Sequence, residues 1–282
     1  MGNFISLFLQ MLLYTVGPIL AFGLAAWFAR QLFVRLVGPY SGRRVLLTTL
    51  APSTPLREAA HVAMAVLFWQ RVEEVRFLDL RAPDGELGYV ERSYLPRNPI
   101  AQLGNFFYAL GPAMLGLAVV FGIFMLCFGG VMESFFSALS ALPETGGIGD
   151  YLLAALELFP ALFFSAGTGV IGKIFGAVLL LLLSMGIFVS LGELMDGLLG
   201  ALLYAGLVLV AAAVLLLFDA RVQRVTLEGL RAFATGVIAL YIPVLLALLL
   251  LLAFAAIFFL IRKLGSVPET GTALELYEKK DK

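Results

Sequence analysis

The chain has 282 residues, 61% of them hydrophobic and 13% charged, with a mean hydropathy of +1.00. A soluble globular domain is nearer half apolar and a quarter charged, so the composition excludes a soluble enzyme and a disordered chain. Lys and Arg number 19 and Asp and Glu 19, which leaves no net field to attract a nucleic acid. The single cysteine, Cys127, excludes an intrachain disulfide and a Cys-based zinc site, and the single histidine, His61, excludes a His-only metal site within one chain. At roughly 20 apolar residues per crossing, the length suits one all-α polytopic membrane domain over residues 1–265. About six transmembrane helices are expected, with a small β-hairpin inserted after the second helical segment and a polar tail over 266–282.

Residues 2–29 contain no Lys or Arg, and the apolar run 4–28 is longer than a signal-peptide core. It is read as a retained first span. Arg30, Arg35, Arg43 and Arg44 follow it and argue for a cytoplasmic loop. Ala51-Pro52-Ser53-Thr54-Pro55 interrupts the next apolar stretch. A helix starting near Pro55 with Thr54 as N-cap, and running to about Trp69, is the expectation there. Residues 71–94 mix charged and β-prone residues around Pro83-Asp84-Gly85, which predicts a hairpin too charged to face lipid.

Further apolar runs predict spans over 103–128, 151–171, 173–191, 198–218 and 237–261. The 151–171 run is the weakest, because Glu157 and Pro160 interrupt it. Arg221, Arg224 and Arg231 predict a second basic, cytoplasmic loop. If residues 30–44 and 71–100 are also cytoplasmic, the stretch 45–69 must re-enter rather than cross. Gly167, Gly169, Gly172 and Gly176 form a small-residue stripe of the kind used in helix packing. Integral insertion, with the lipid bilayer as the surrounding partner, is the expectation throughout.

Ionisable groups at membrane depth need partners or a function. Arg57, Glu58, His61 and Asp196 stand out, with Glu157 and Glu193 behind them. Glu58 and His61 are three apart and share a helix face. They read either as a helix start favouring its dipole beside a satisfied core histidine, or as a chemical pair. Asp196-Gly197 reads either as a polar hairpin tip or as a carboxylate inside the bundle.

Taken in order, these motifs resemble the site-2-protease-like intramembrane zinc metalloproteases, over roughly residues 50–200. Arg57-Glu58-Ala59-Ala60-His61 lies where that family carries His-Glu-x-x-His. The predicted hairpin follows, with Gly88-Tyr89-Val90-Glu91-Arg92-Ser93-Tyr94. Then come Gly104-Asn105-Phe106-Phe107, Gly111-Pro112 and Asp196-Gly197. The set is similar to a bacterial branch with "GYVxHxY" and "GNFF" segments. The resemblance implies a zinc ion held by two histidines and an aspartate, with the glutamate as general base. Residue by residue, Glu58 would be the base and His61 and Asp196 metal ligands.

The remaining ligand position is Arg57, and the expected hairpin histidine is Arg92. A guanidinium has no lone pair to give a metal. The reading preferred is therefore a metal-free pseudo-protease in a bacterial cytoplasmic membrane, with no cofactor. In it Arg57 pairs with Asp196 or Glu58, and a partner protein or transmembrane peptide binds in the old substrate groove. The hairpin would present the partner-facing residues Tyr89, Glu91, Arg92 and Tyr94. The alternatives are an active zinc protease, with Glu193 or Glu157 as an atypical third ligand, and a transporter or channel subunit with a polar path through Glu157, Asp196 and Arg57.

Overall fold

In an apolar medium a chain must satisfy its own backbone N–H and C=O groups, so long apolar runs fold as helices. The computed structural model describes residues 2–38, 48–80, 87–128, 137, 153 and 169–265. The elements are α1 (Gly2–Val37), α2 (Thr54–Leu67), β1 (Arg71–Arg76), β2 (Tyr89–Ser93), α3 (Pro99–Cys127), α4 (Val170–Ser184), α5 (Leu191–Asp196), α6 (Leu198–Leu215) and α7 (Ala220–Leu264). The fold is mostly helical, with one small sheet directly after α2. Four helices are long and apolar enough to cross a membrane: Phe4–Val37 of α1, α3, α6 and α7. Of about six expected crossings, four thus stand among the described residues. The one expected at 151–171 falls almost wholly outside them, as do Glu157 and the Pro83-Asp84-Gly85 turn.

α3 starts earlier than the apolar run suggests. Asn98 caps it, accepting from the Ile100 amide at 3.0 Å, and Pro99 opens the first turn where no N–H is needed. α7 corrects the expected basic loop. Arg221, Arg224 and Arg231 lie within its 45 residues, because the Ala, Arg and Leu residues around them favour helix.

α1 and α7 lie side by side and run the same way. Leu7 and Met11 share a small core with Val208, Ala212 and Leu215 of α6, and Leu227 and Leu230 of α7 pack against it. Further along both helices, Tyr241 stacks on Phe22 at 5.8 Å. Arg221 and Arg224 therefore belong to the Leu7 end of the pair, and Arg30 and Arg35 to the other. With α1 crossing, a single membrane side cannot hold both arginine groups. Arg262 and Lys263, in the last turn of α7, continue toward the Arg35 end.

The apolar run 173–191 is not one helix. α4 stops at Ser184 and residues 185–190 unwind. Met185, Ile187 and Val189 are nonetheless fully buried. Two glycines on neighbouring helices and one in the stretch itself make the slot. A Cβ on Gly23 of α1 would lie 2.5 Å from Val189 Cγ2, one on Gly116 of α3 would lie 2.6 Å from Ile187 Cγ1, and one on Gly186 would lie 2.8 Å from the Ser53 carbonyl. The Val189 amide donates to the Gly23 carbonyl at 3.1 Å, which satisfies a group that the helix has given up. This extended stretch carries α5 up to α2, where Glu193 meets Arg57.

Candidate functional site

α2 begins with a tight turn. Ser53 Oγ and Thr54 Oγ1 each donate to the Leu50 carbonyl at 3.0 Å. Thr54 is thus the first helical residue rather than the cap, and Ser53 at the cap position makes no side-chain cap bond. From this start Arg57, Glu58 and His61 project in the first two turns. Glu58 is 2% exposed and His61 1%, so both belong to the face turned into the protein.

Arg57 organises the cluster. Its Nη1 donates to Glu58 Oε1 at 3.0 Å, and its Nη2 donates to Glu193 Oε1 of α5. Glu193 Oε1 also lies 3.4 Å from His61 Nε2. The guanidinium carbon is 5.4 Å from the centroid of Phe188, and that of Arg30 is 4.8 Å from the same ring. Phe188 therefore offers its negative π-face to two cations. Among the described residues neither ring nitrogen of His61 has a hydrogen-bond partner. Its imidazole stacks on Tyr108 of α3 instead, centroids 4.1 Å apart.

A second arginine meets the same tyrosine. The guanidinium carbon of Arg92, on β2, lies 3.8 Å from the Tyr108 centroid. Two groups this near the ring cannot share a face, so His61 and Arg92 enclose it. Arg92 Nη1 donates to Gln70 Oε1 at 2.5 Å and to Asn105 Oδ1 at 2.6 Å. Gln70 Nε2 in turn donates to the Ala101 carbonyl and to Asn105 Oδ1 at 2.8 and 3.0 Å. Gln70 follows the tight end of α2. There its amide bonds to the Ala65 carbonyl at 2.8 Å and Trp69 takes a positive φ of 58°. This is a helix stop that usually uses glycine.

The hairpin grouping divides. Arg92 turns inward, Tyr89 is half-buried, and Glu91 and Tyr94 are exposed. β1 and β2 are antiparallel, with Arg71 opposite Ser93 and Arg76 opposite Tyr89, and the register slips between Val72 and Glu74. The Tyr89 hydroxyl donates to Glu74. That bond holds the Glu74 carboxyl below its ordinary value and pushes the Tyr89 phenol above its own.

Asp196 is exposed at the end of α5, and the carboxylates facing Arg57 are those of Glu58 and Glu193. The glycine after Asp196 has a clear packing reason. A Cβ on Gly197 would lie 2.9 Å from the Asn105 carbonyl, and one on Gly200 would lie 2.2 Å from the Gln102 carbonyl. These glycines let α6 meet the α3 backbone. Gln70, Tyr108 and Phe188 were not anticipated as parts of the site. An isolated amide or aromatic in an apolar run carries no sequence signal of its partners.

A catalytic zinc ion takes three protein ligands and an open position. His61 and Glu193 converge, but a guanidinium occupies the carboxylate oxygen between them. Among the described residues no group of three or more His, Cys, Asp or Glu side chains is placed to hold a metal. No protein-family model, curated protein or solved structure matches the chain.

Proposed function

We propose that the protein is a catalytically silent relative of the site-2-protease-like intramembrane proteases, with about six crossings of a bacterial cytoplasmic membrane. In this reading it binds an extended segment of a partner protein rather than cutting it. One observation supports it above others: the Arg57 guanidinium lies between Glu58 and Glu193, where positive charge from a metal would otherwise be needed. A fixed cation there balances the carboxylates and gives no Lewis acid. The sheet has only two strands among the described residues, so an outer edge with Glu91 and Tyr94 nearby could add a partner strand.

The rival reading is an active zinc protease with Glu58 as base and Glu193 as an atypical ligand. It draws on the two unpartnered nitrogens of His61 and the 3.4 Å approach of Glu193. Metal analysis of the purified protein separates the two. Less than about 0.1 zinc per chain, unchanged by His61→Ala, is expected from the linked charge and ligand logic. About one zinc per chain, lost in His61→Ala, would overturn the silent reading.

A further inference from the structure

We propose that Arg92, at the base of the hairpin, binds the phosphate of an anionic phospholipid. Arginine recognises a phosphate through two parallel N–H bonds from one edge of its planar head. Arg92 has such an edge to spare. Its Nη1 is taken by Gln70 and Asn105, whereas Nε and Nη2 make no hydrogen bond among the described residues. The side chain is half-buried, and its head is fixed before any ligand arrives. Gln70 and Asn105, which hold it, are 5% and 2% exposed. The rings of Tyr94 and Tyr108 lie 5.5 and 3.8 Å from the guanidinium carbon.

The surroundings select the carrier of the anion. Arg71 stands opposite Ser93 in the sheet, Arg97 directly precedes the Asn98 cap of α3, and both are exposed. Neither they nor Arg92 form an ion pair among the described residues. The acidic residues of the two strands, Glu73, Glu74 and Glu91, lie on the turn side of the Arg71–Ser93 pair. Three unbalanced cations therefore gather at the hairpin base, and charge complementarity requires an anion there. Beside them stand Trp69, 74% exposed, and Leu95, 75% exposed. Trp69 is also the residue at positive φ, a costly conformation for a bulky side chain and one kept where it serves a contact. A soluble anion would leave these two apolar side chains bare. A phospholipid meets both needs, with its phosphate on the arginine and its glycerol and upper acyl chain on Trp69 and Leu95. The depth agrees, because α3 is long and apolar enough to cross a membrane from Pro99 onward, and Asn105 lies within two turns of that start. Cations and aromatic rings collect at this level of a bilayer.

The test uses the full chain in phosphatidylcholine vesicles doped with phosphatidylglycerol that is brominated near the top of one acyl chain. Trp27→Phe leaves Trp69 as the only tryptophan. Half-quenching of its fluorescence is expected at an about fivefold lower mole fraction than with brominated phosphatidylcholine, the factor one arginine supplies at an anionic surface. Arg92→Gln should remove most of that preference, and Arg262→Gln, at the far end of α7, none of it. In the native chain, added unbrominated phosphatidylglycerol should relieve the quenching, which keeps the test decisive if a variant fails to fold. Inorganic phosphate should not relieve it. Relief by phosphate would assign the arginine to a free anion and overturn the lipid assignment. Equal quenching by the two brominated lipids, or equal losses from Arg92→Gln and Arg262→Gln, would show general surface charge only and sink the proposal. So would cross-links from a photoreactive residue at position 95 to another polypeptide instead of to lipid.

Discussion

Arg57 and Arg92 stand on either side of the His61–Tyr108 stack, yet their charges are met in opposite ways. Arg57 faces two carboxylates, one of them almost fully buried. Arg92 faces the oxygens of two neutral amides and an aromatic face. The first arrangement balances charge with charge, so each partner makes the others necessary. The second solvates a cation with dipoles, and its amides also bond to each other and to the Ala101 carbonyl. Of the two arginines, Arg57 is the one that joins separate helices by ion pairing, α2 to α5.

Removing each head group breaks the symmetry most directly. Arg57→Met removes the cation beside Glu58 and Glu193, and breaking one side of a buried pair costs about 3–5 kcal/mol. Because Arg57 and Glu193 are each 22% exposed, the lower end of that range is expected, read as a large drop in thermal midpoint in detergent. Glu193→Gln added to Arg57→Met should recover part of the loss. Strict additivity of the two single effects would show that α2 and α5 are not coupled through this pair.

Arg92→Met should cost less, about 1–2 kcal/mol, because the stranded groups are neutral and keep some of their bonds. Its signature is local. Hydrogen exchange should rise in β1 and β2 while the α2–α5 contact stays protected. Equal losses from the two arginine substitutions would show that charge pairing and dipole solvation hold the two arginines equally. Asp196→Asn is expected to change stability by no more than about 0.5 kcal/mol, as for an exposed group that makes no ion pair among the described residues. A loss as large as that of Arg57→Met would return Asp196 to the charge cluster.

The sequence marked the elements that carry punctuation and missed those that carry none. Pro55, the charged β-prone run at 71–76 and the lone polar residues 57, 58 and 61 announced α2, the hairpin and one side of the cluster. The break after Ser184 was invisible, because 174–189 is apolar but for Ser184 and periodicity cannot distinguish a buried extended segment from a helix. Only the glycines at 23, 116 and 186, brought together in space, explain why the chain unwinds there. Glu193 was a weak candidate for the same reason. Its importance depends on that unwound segment carrying α5 up to α2. Arg221 to Arg231 misled in the opposite sense: charge suggested a loop, whereas helix propensity kept the chain helical.

The smallest effect belongs to the outer end of the hairpin, where Tyr89 and Glu74 form a solvent-exposed bond. The hydroxyl of Tyr89 is the main reason that Glu74 lies below its ordinary 4.5, with Arg76 adding to it. That contribution is present above 4.5 and fades as pH falls through the lowered value. The same bond is the main reason that Tyr89 lies above its ordinary 10.0. Its share is present below 10.0 and fades as pH rises through the raised value. Hairpin protection, followed by amide exchange, should therefore weaken on both the acid and the alkaline side, and Tyr89→Phe should flatten both limbs. Arg92 is held instead by the oxygens of Gln70 and Asn105, so protection at its end should not follow the Tyr89–Glu74 curve. If Tyr89→Phe loosened the two ends together, the hairpin would be a single cooperative unit, and Arg92 would be held by the sheet rather than by Gln70 and Asn105.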